Sequence, residues 1–303
     1  MRKKTRLLPV LLVTAMILGA ASTSTASTIS RPSEQASTAA VGKQAFIYWA
    51  NDGGTTIGRA NLNGTEVNEN FVKSAGDEPC GVAVYDGHIY WAEEQGAAIG
   101  RSNLNGTDVD ARFISGIYYE APCGVAVYGG HIYWGGGYAG STIGRANLNG
   151  SGVDANFIST HTGAEFPVVT AKYIYWGYWS ESGSPTIGRA NLNGTGVDQK
   201  FIRGVNNASP FVDGDHIYWT NAGSQSVSSS IGRAELNGKG ATEKFITGTD
   251  GACDLAIYGR HIYWADGDDT YSTIGRAELN GKGATESFIT GAQAPCGVAV
   301  SAG

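Results

Sequence analysis

One short pattern occurs six times in this chain, and the repeat limits its fold more than any other feature. The dipeptide Tyr-Trp recurs at steps of 42, 43, 42, 43 and 45 residues, which places its tryptophans at Trp49, Trp91, Trp134, Trp176, Trp219 and Trp264; a further copy, Tyr178-Trp179, stands outside this period. Downstream of each pair stands a second motif, Ile-Gly-Arg-(Ala/Ser)-(Asn/Glu)-Leu-Asn-Gly. Two linked motifs at a near-constant period are typical of one repeat domain in which each repeat is a structural unit.

The second repeat, which is complete, predicts four short strands. Strand A covers Gly81–Tyr85, strand B His88–Ala92, strand C Ala98–Leu104 and strand D roughly Ala111–Ser115. An Asp-Gly pair separates A from B and an Asn-Gly pair follows C, as expected for tight hairpin turns. No window has a 3.6-residue apolar period, so we expect no helices. Four-stranded units at this spacing predict an all-β fold, a six-bladed β-propeller of four-stranded antiparallel blades.

The two ends of the repeat region complement each other. The first repeat has strands B, C and D, but its strand A is missing and a Ser/Thr/Ala-rich stretch precedes it. The last repeat is followed by Pro295–Val300, which has the pattern of a strand A with no strand B after it. We therefore predict that the C-terminal strand joins blade one and closes the ring, which removes exposed sheet edges.

The N-terminus has the pattern of an export signal. A basic start precedes an apolar run, Leu7–Ala20, and small residues follow, with Ala26 as the expected cleavage point. The sequence thus predicts a signal peptide at 1–26, a Ser/Thr/Ala-rich linker at 27–43 and the propeller at 44–303. We expect a secreted or extracytoplasmic protein.

Charge and hydropathy narrow the range of partners. Without the predicted signal, 17 basic and 27 acidic residues remain, a net charge of −10, compared with −6 for the whole chain. Such a surface repels nucleic acid and anionic bilayers. No other apolar run approaches the roughly 18 residues of a membrane span. We expect a monomer that neither binds nucleic acid nor inserts into a membrane.

The motifs also carry a family resemblance. Tyr-Trp, followed by Ile-x-Arg-x-x-Leu-x-Gly and then Pro-x-Gly-Val-Ala-Val, resembles the YWTD (class B) repeats of the low-density lipoprotein receptor family. The resemblance covers nearly all of the chain after the signal and implies a six-bladed propeller. The Thr-Asp of the family motif is replaced here, as by Ala50-Asn51 in the first repeat, and the receptor's other modules are absent. Fold carries over more readily than receptor function, because propellers host unrelated activities.

Residues that recur in every blade are expected to be structural. The tryptophans of the motif offer large apolar surfaces for packing between sheets. The six arginines are expected to bond carbonyls or acids between blades; they are Arg59, Arg101, Arg145, Arg189, Arg233 and Arg276. Four histidines begin strand B, too far apart to share one metal ion, namely His88, His131, His216 and His261.

Four cysteines precede strand A in blades that are contiguous around the ring. They are Cys80, Cys123, Cys253 and Cys296. An even number in an exported chain favours disulfides. If neighbours pair, only Cys80–Cys123 with Cys253–Cys296 uses all four. A thiolate metal cluster and buried free thiols remain the alternatives.

The variable loops predict where function lies. In an A-B-C-D meander the A–B and C–D turns share one face, here called the turn face, and the B–C and D–A loops share the other, the loop face. The turns are nearly identical, whereas the loops vary and carry aromatic residues that are ligand-binding candidates: Tyr118, Tyr119, Tyr138, Phe166, Tyr178 and Trp179. Exposed aromatics among polar groups commonly mark recognition sites, although these could instead pack on one another.

Motifs of known enzyme classes are missing, so we predict no catalytic residue. The leading hypothesis is a secreted non-catalytic binding module that recognises a glycan or protein partner through the loop face. The alternative is a lactonase-like hydrolase or lyase with a metal-assisted site at the channel mouth, using Glu165 and Asp254. His161 with Glu165 is the best acid–base pair. No cofactor is expected, and calcium is the alternative left open. Asp266–Asp269 resembles a calcium-binding loop without the full EF-hand pattern.

Overall fold

The repeat forms a ring of small sheets. The computed structural model describes residues 44–117, 121–137, 140–160, 163–178, 185–222, 229–267 and 272–302. These ranges contain 24 strands and no helix, and the strands form six four-stranded antiparallel sheets. Within them, accordingly, no helix has the length and apolarity needed to cross a membrane. The prediction of an all-β six-bladed propeller is confirmed.

Each sheet is one blade. The strands of blades one to three are β1 (Ala45–Asn51), β2 (Thr56–Asn61), β3 (Asn68–Val72), β4 (Pro79–Tyr85), β5 (His88–Glu93), β6 (Ala98–Asn103), β7 (Asp110–Ile114), β8 (Cys123–Tyr128), β9 (His131–Gly135), β10 (Thr142–Asn147) and β11 (Asp154–Ser159). Those of blades four to six are β12 (Ala164–Val169), β13 (Tyr173–Tyr178), β14 (Thr186–Asn191), β15 (Asp198–Arg203), β16 (Pro210–Asp213), β17 (His216–Asn221), β18 (Ser230–Glu235), β19 (Thr242–Thr247), β20 (Ala252–Tyr258), β21 (His261–Asp266), β22 (Thr273–Glu278) and β23 (Thr285–Thr290). The last strand, β24 (Pro295–Ala302), is the inner strand of blade one.

The C-terminal strand closes the ring as predicted. Strand β24 pairs antiparallel with β1, with Trp49 opposite Val298. The six inner strands, β24, β4, β8, β12, β16 and β20, each contact the next one around the ring. Closure therefore gives every inner strand two neighbouring blades and places six chain segments around one central axis.

A tryptophan–glycine pair explains why the two motifs recur together. The tryptophan of Tyr-Trp lies directly opposite the glycine of Ile-Gly-Arg, as Trp49 opposite Gly58 and Trp176 opposite Gly188. All six of these indoles are fully buried. A Cβ atom on either glycine would overlap the indole ring of its partner. Only glycine leaves room for the ring, so each blade buries its largest side chain through this pairing.

The arginines of the repeat are structural, but by a different contact from the one predicted. The guanidinium of Arg101 lies 3.8 Å from the ring centroid of Phe113 and forms a hydrogen bond with Tyr90, all within blade two. Arg59, Arg145, Arg189, Arg233 and Arg276 stack in the same way on the phenylalanines of their own blades. The flat guanidinium favours an aromatic face over bonds between blades, because stacking leaves its edge free for water and the tyrosine hydroxyl.

Candidate functional site

A cavity of about 440 Å³ opens at the centre of the loop face. Two sequence positions of the repeat line it. The first lies on or next to the inner strands, eleven residues before the motif tryptophan in blades two to six and at Cys296 in β24. The second lies three residues after the tryptophan, where the B–C loop begins. The first set is Cys296, Cys80, Cys123, Glu165, Ala208 and Cys253; the second includes Asp52, Glu94, Ala222 and Gly267. Because both sets derive from a repeat, any chemistry here comes from the blades in which the repeat is broken.

Four of the six inner positions are joined as cystines. Cys80 bonds to Cys123 and Cys253 bonds to Cys296, with Cα–Cα distances of 5.2 and 5.3 Å. The predicted pairing of neighbouring blades is confirmed, and the Cα separations lie in the range that disulfides require. The two bonds run end to end, since Cys80 Sγ lies 3.6 Å from Cys296 Sγ. They therefore form a row of four sulfurs along one wall of the cavity and tie β24 to blade six.

Phe166 lies against this row and lines the cavity. It packs in one buried cluster with Cys80, Cys123 and Cys296. Its φ of 46° is in the left-handed region, which bulky residues rarely adopt. The equivalent residue in the preceding blade is Gly124, where a Cβ atom would overlap the Phe166 backbone. Blade four thus places an aromatic ring where blades one, two and three have glycine, and this predicted ligand-binding candidate is at once a wall of the cavity and part of the packing.

Three carboxylates face the cavity from blades one, two and four. Asp52 and Glu94 follow strands β1 and β5, and Glu165 belongs to β12. Backbone bonds fix the first two, because the Asp52 N–H donates to Ala294 O and the Glu94 N–H to Glu78 O, both at 3.1 Å. None of the described residues that line the cavity is basic. The mouth is therefore a concentration of negative charge without a protein counter-ion in the described part of the chain.

Burial and mutual repulsion alter the acidity of these groups. Burial, with the charges of Glu94 and Asp52, raises the pKa of Glu165 to about 8. Burial, with the charges of Glu94 and Glu78, raises the pKa of Asp52 to about 7. Burial and the charge of Glu78 also raise the pKa of Glu94. Each group binds its proton more tightly than in water, and a cation at the mouth would relieve the same repulsion.

Asp254 has a different position from the one expected. It is only 1% exposed, and its carboxylate accepts hydrogen bonds from Ser209 Oγ at 2.6 Å and Val298 N at 3.2 Å. These bonds connect blade six with blades five and one. Asp254 is absent from the cavity lining, so its described contacts are those of a structural residue.

The remaining predicted candidates divide between described and undescribed positions. Tyr178 is half-buried at the end of β13, where it pairs with Ala164. Asp266 is buried at the end of β21, and Gly267 lines the cavity. The other residues that sequence reasoning singled out lie outside the described residues; they are Tyr118, Tyr119, Tyr138, His161, Trp179, Asp268 and Asp269.

Sequence reasoning missed Asp52, Glu78 and Glu94. Two of them could have been found from the repeat, because Asp52 and Glu94 occupy the same position three residues after their tryptophans. That position is glycine or alanine in blades three, five and six. An acid on two adjacent blades at one repeat position places two carboxylates side by side at the axis. The arrangement suits cation binding, and it offers protonatable groups at neutral pH.

Comparisons with known proteins agree on the fold. No family model matches the chain, and no curated protein matches it. Among solved structures, a chain of the crystal structure of the nidogen/laminin complex has a TM-score of 0.66 at 16% identity, over 85% of this chain and 98% of that one. TolB from Acinetobacter baumannii has a TM-score of 0.59 at 14% identity, over 84% of this chain and 66% of that one. Kuenenia stuttgartiensis hydrazine synthase has a TM-score of 0.58 at 13% identity, over 77% and 73%. At such identities the likeness shows the propeller fold alone.

Proposed function

We propose that the chain is an extracytoplasmic, non-catalytic binding module that recognises a protein partner through its loop face, as a member of the YWTD repeat family. The asymmetry between the two faces carries this proposal. The turn face consists of near-identical hairpins, whereas the loop face combines variable loops with an acidic cavity of about 440 Å³. Recognition sites on rigid scaffolds usually lie where loops vary and a cavity is present.

A protein partner is favoured over a glycan by the charge of the cavity. Asp52, Glu94 and Glu165 face it without a basic neighbour among the described lining residues. A cationic side chain or a metal-bridged contact from a protein would stabilise these groups in their charged form, which a neutral sugar cannot do. The propeller chain of the nidogen/laminin complex, which shares this fold, also occurs in a protein assembly. Phe166 lines the cavity and the candidate Tyr178 ends strand β13 of the same blade, and both would add apolar contacts.

Export accounts for the cystines. The two disulfides favour an oxidising compartment. The predicted signal at 1–26 supplies the route, and N-terminal sequencing of the exported protein should give a chain that begins near residue 27. A mature chain that retains residues 1–26 would contradict this part of the proposal.

Selection from a displayed peptide and protein library tests the binding function, with a glycan panel probed in parallel. The loop-face variant is Glu94→Arg, and the matched turn-face control is Glu66→Arg, since Glu66 is exposed in the β2–β3 hairpin. Selected binders should lose at least about tenfold in affinity for Glu94→Arg and bind Glu66→Arg as they bind the wild type. Binders equally insensitive to both variants, or binding to glycans alone, would contradict the proposal.

A second function, acid–base hydrolysis at the channel mouth, is favoured by one observation. The pKa of Glu165 is raised to about 8 and that of Asp52 to about 7, so both groups can exchange protons at neutral pH. A screen of lactones and phosphotriesters, with Glu165→Gln as the inactive control, tests it. Turnover that persists unchanged in Glu165→Gln would exclude this site as its source.

A further inference from the structure

Three carboxylates at the edge of the cavity lie close enough to share one ion. Suitable oxygens of Asp52, Glu78 and Glu94 all lie within 4.8 Å of one another. Asp52 belongs to blade one, and Glu78 and Glu94 flank the first two strands of blade two, so the group spans the boundary between blades. We infer that this cluster is a divalent-cation site that takes Ca²⁺. The inference goes beyond the proposed binding function and does not require a partner.

Two carboxylates that line this cavity lack a hydrogen-bond donor among the described residues. Asp52 Oδ1 is inaccessible to water and has no hydrogen-bond partner among the described residues. Glu165 is enclosed by the protein on almost all sides, lines the same cavity as Asp52 and Glu94, and its carboxylate has no hydrogen bond to any described residue. A buried carboxylate oxygen without a donor is costly unless a cation compensates it. The unpaired Asp52 oxygen and the Glu165 carboxylate add to the proximity of the three ligands, because a cation at this point would compensate both.

The chemistry and spacing of the ligands favour calcium. All the donors are carboxylate oxygens, which select hard cations rather than zinc or copper. Calcium–oxygen bonds of roughly 2.3–2.6 Å place ligands on opposite sides of the ion about 4.6–5.2 Å apart. The oxygens of Asp52, Glu78 and Glu94 lie within 4.8 Å of one another, a spacing that one ion of this size can bridge. Magnesium requires a tighter octahedron, with opposite ligands about 4.1 Å apart, and usually keeps several waters.

An ion here would act on the mouth of the cavity. The backbone of Glu94 is bonded to Glu78, and that of Asp52 is bonded to Ala294, so the ligands are attached to the loops that enter β4 and β24. Calcium would therefore join the B–C loops of blades one and two and neutralise part of the negative charge that faces Glu165. Its binding should stabilise the folded chain in proportion to its affinity.

Calorimetric titration of chelator-treated full-length mature protein with CaCl₂ tests the inference, with MgCl₂ as the competing ion. The expected result is one site with a Kd of about 10⁻⁴ M or tighter and a higher melting temperature in calcium. Asp52→Asn and Glu94→Gln should each weaken calcium binding at least about tenfold, because each removes one charged ligand. Glu66→Gln, an exposed carboxylate on the turn face, should bind calcium as the wild type does.

The variants remain interpretable because they remove repulsion within the cluster. Asp52→Asn and Glu94→Gln are therefore expected to fold, and circular dichroism and the calcium-free melting temperature check this. The inference is overturned if folded wild-type protein shows no saturable calcium binding at millimolar concentration. It is equally overturned if Asp52→Asn binds calcium with unchanged affinity, or if magnesium binds more tightly than calcium.

Discussion

Replacement of Glu165 by glutamine should make the stability of the chain less dependent on pH. The folded-state pKa of Glu165 is raised from 4.5 to about 8, first by burial and then by the charges of Glu94 and Asp52. The folded state therefore holds this proton more tightly than the unfolded state does. The stability that Glu165 contributes is fully present below about pH 4.5 and is lost as the pH rises through about 8. Glu165→Gln keeps the neutral form at every pH.

The size of the effect follows from the two pKa values. A change from 4.5 to about 8 corresponds to at most about 5 kcal/mol. Solvent reaches Glu165 through the cavity and screens the charge, so we expect roughly 2–3 kcal/mol. Urea unfolding of calcium-free protein between about pH 5 and about pH 8.5 measures it, with Glu66→Gln as the control. The free energy of unfolding of Glu165→Gln should rise relative to that of the wild type as the pH rises. If the two free energies change in parallel with pH, this view of the cavity is refuted.

Three further substitutions test the fold that holds the site. Gly188→Ala places a Cβ in the ring of Trp176 and should lower the free energy of unfolding, measured in urea, by about 1–3 kcal/mol. A loss below about 0.5 kcal/mol would contradict the tryptophan–glycine pairing. Cys296→Ser removes the disulfide to Cys253, which closes a loop of 43 residues. It should lower the free energy of unfolding by about 4 kcal/mol under oxidising conditions. A difference from the wild type that persists in reductant would have another cause. Asp254→Asn weakens two buried hydrogen bonds between blades and should cost roughly 1–3 kcal/mol, whereas an unchanged melting temperature would refute its structural role.

The strands and the ring closure could be predicted because each blade repeats the same local requirements. Strand A of blade two, predicted at Gly81–Tyr85, begins two residues earlier in the structure, and strand B, predicted at His88–Ala92, extends by one residue to Glu93. Alternating apolar residues and tight turns fix such strands locally. The inner strand formed by Pro295–Ala302 could be placed because it completes the blade that the first repeat leaves short.

The site could be predicted only in part, because it depends on where side chains point around the axis. Cys253 lines the cavity, whereas the next residue along the strand, Asp254, enters the wall between blades. Phe166 holds the same repeat position as Asp254 and yet reaches the cavity together with Glu165; both strands have a register shift at this point, but only Phe166 has a positive φ. Such local departures cannot be inferred from a repeat pattern, which describes what the blades share.

The clustering of acids at the boundary of blades one and two also depends on the closed ring. Asp52 and Glu78 are distant in motif position and become neighbours only when the B–C loop of one blade meets the D–A loop of the next. Asp52 and Glu94, in contrast, share a repeat position, so their pairing was accessible to a position-by-position comparison of the repeats. The loop face is thus partly readable from the sequence through the positions at which the repeat changes.

Hydrogen–deuterium exchange of the propeller with and without its tightest selected binder tests the central claim most directly. Binding through the loop face should protect the peptides that contain residues 52–55, 94–97 and 163–166, which surround the cavity. The β2–β3 hairpin at 62–67, on the turn face, should exchange at the same rate in both states. Protection of that hairpin, with unchanged exchange around the cavity, would contradict the account.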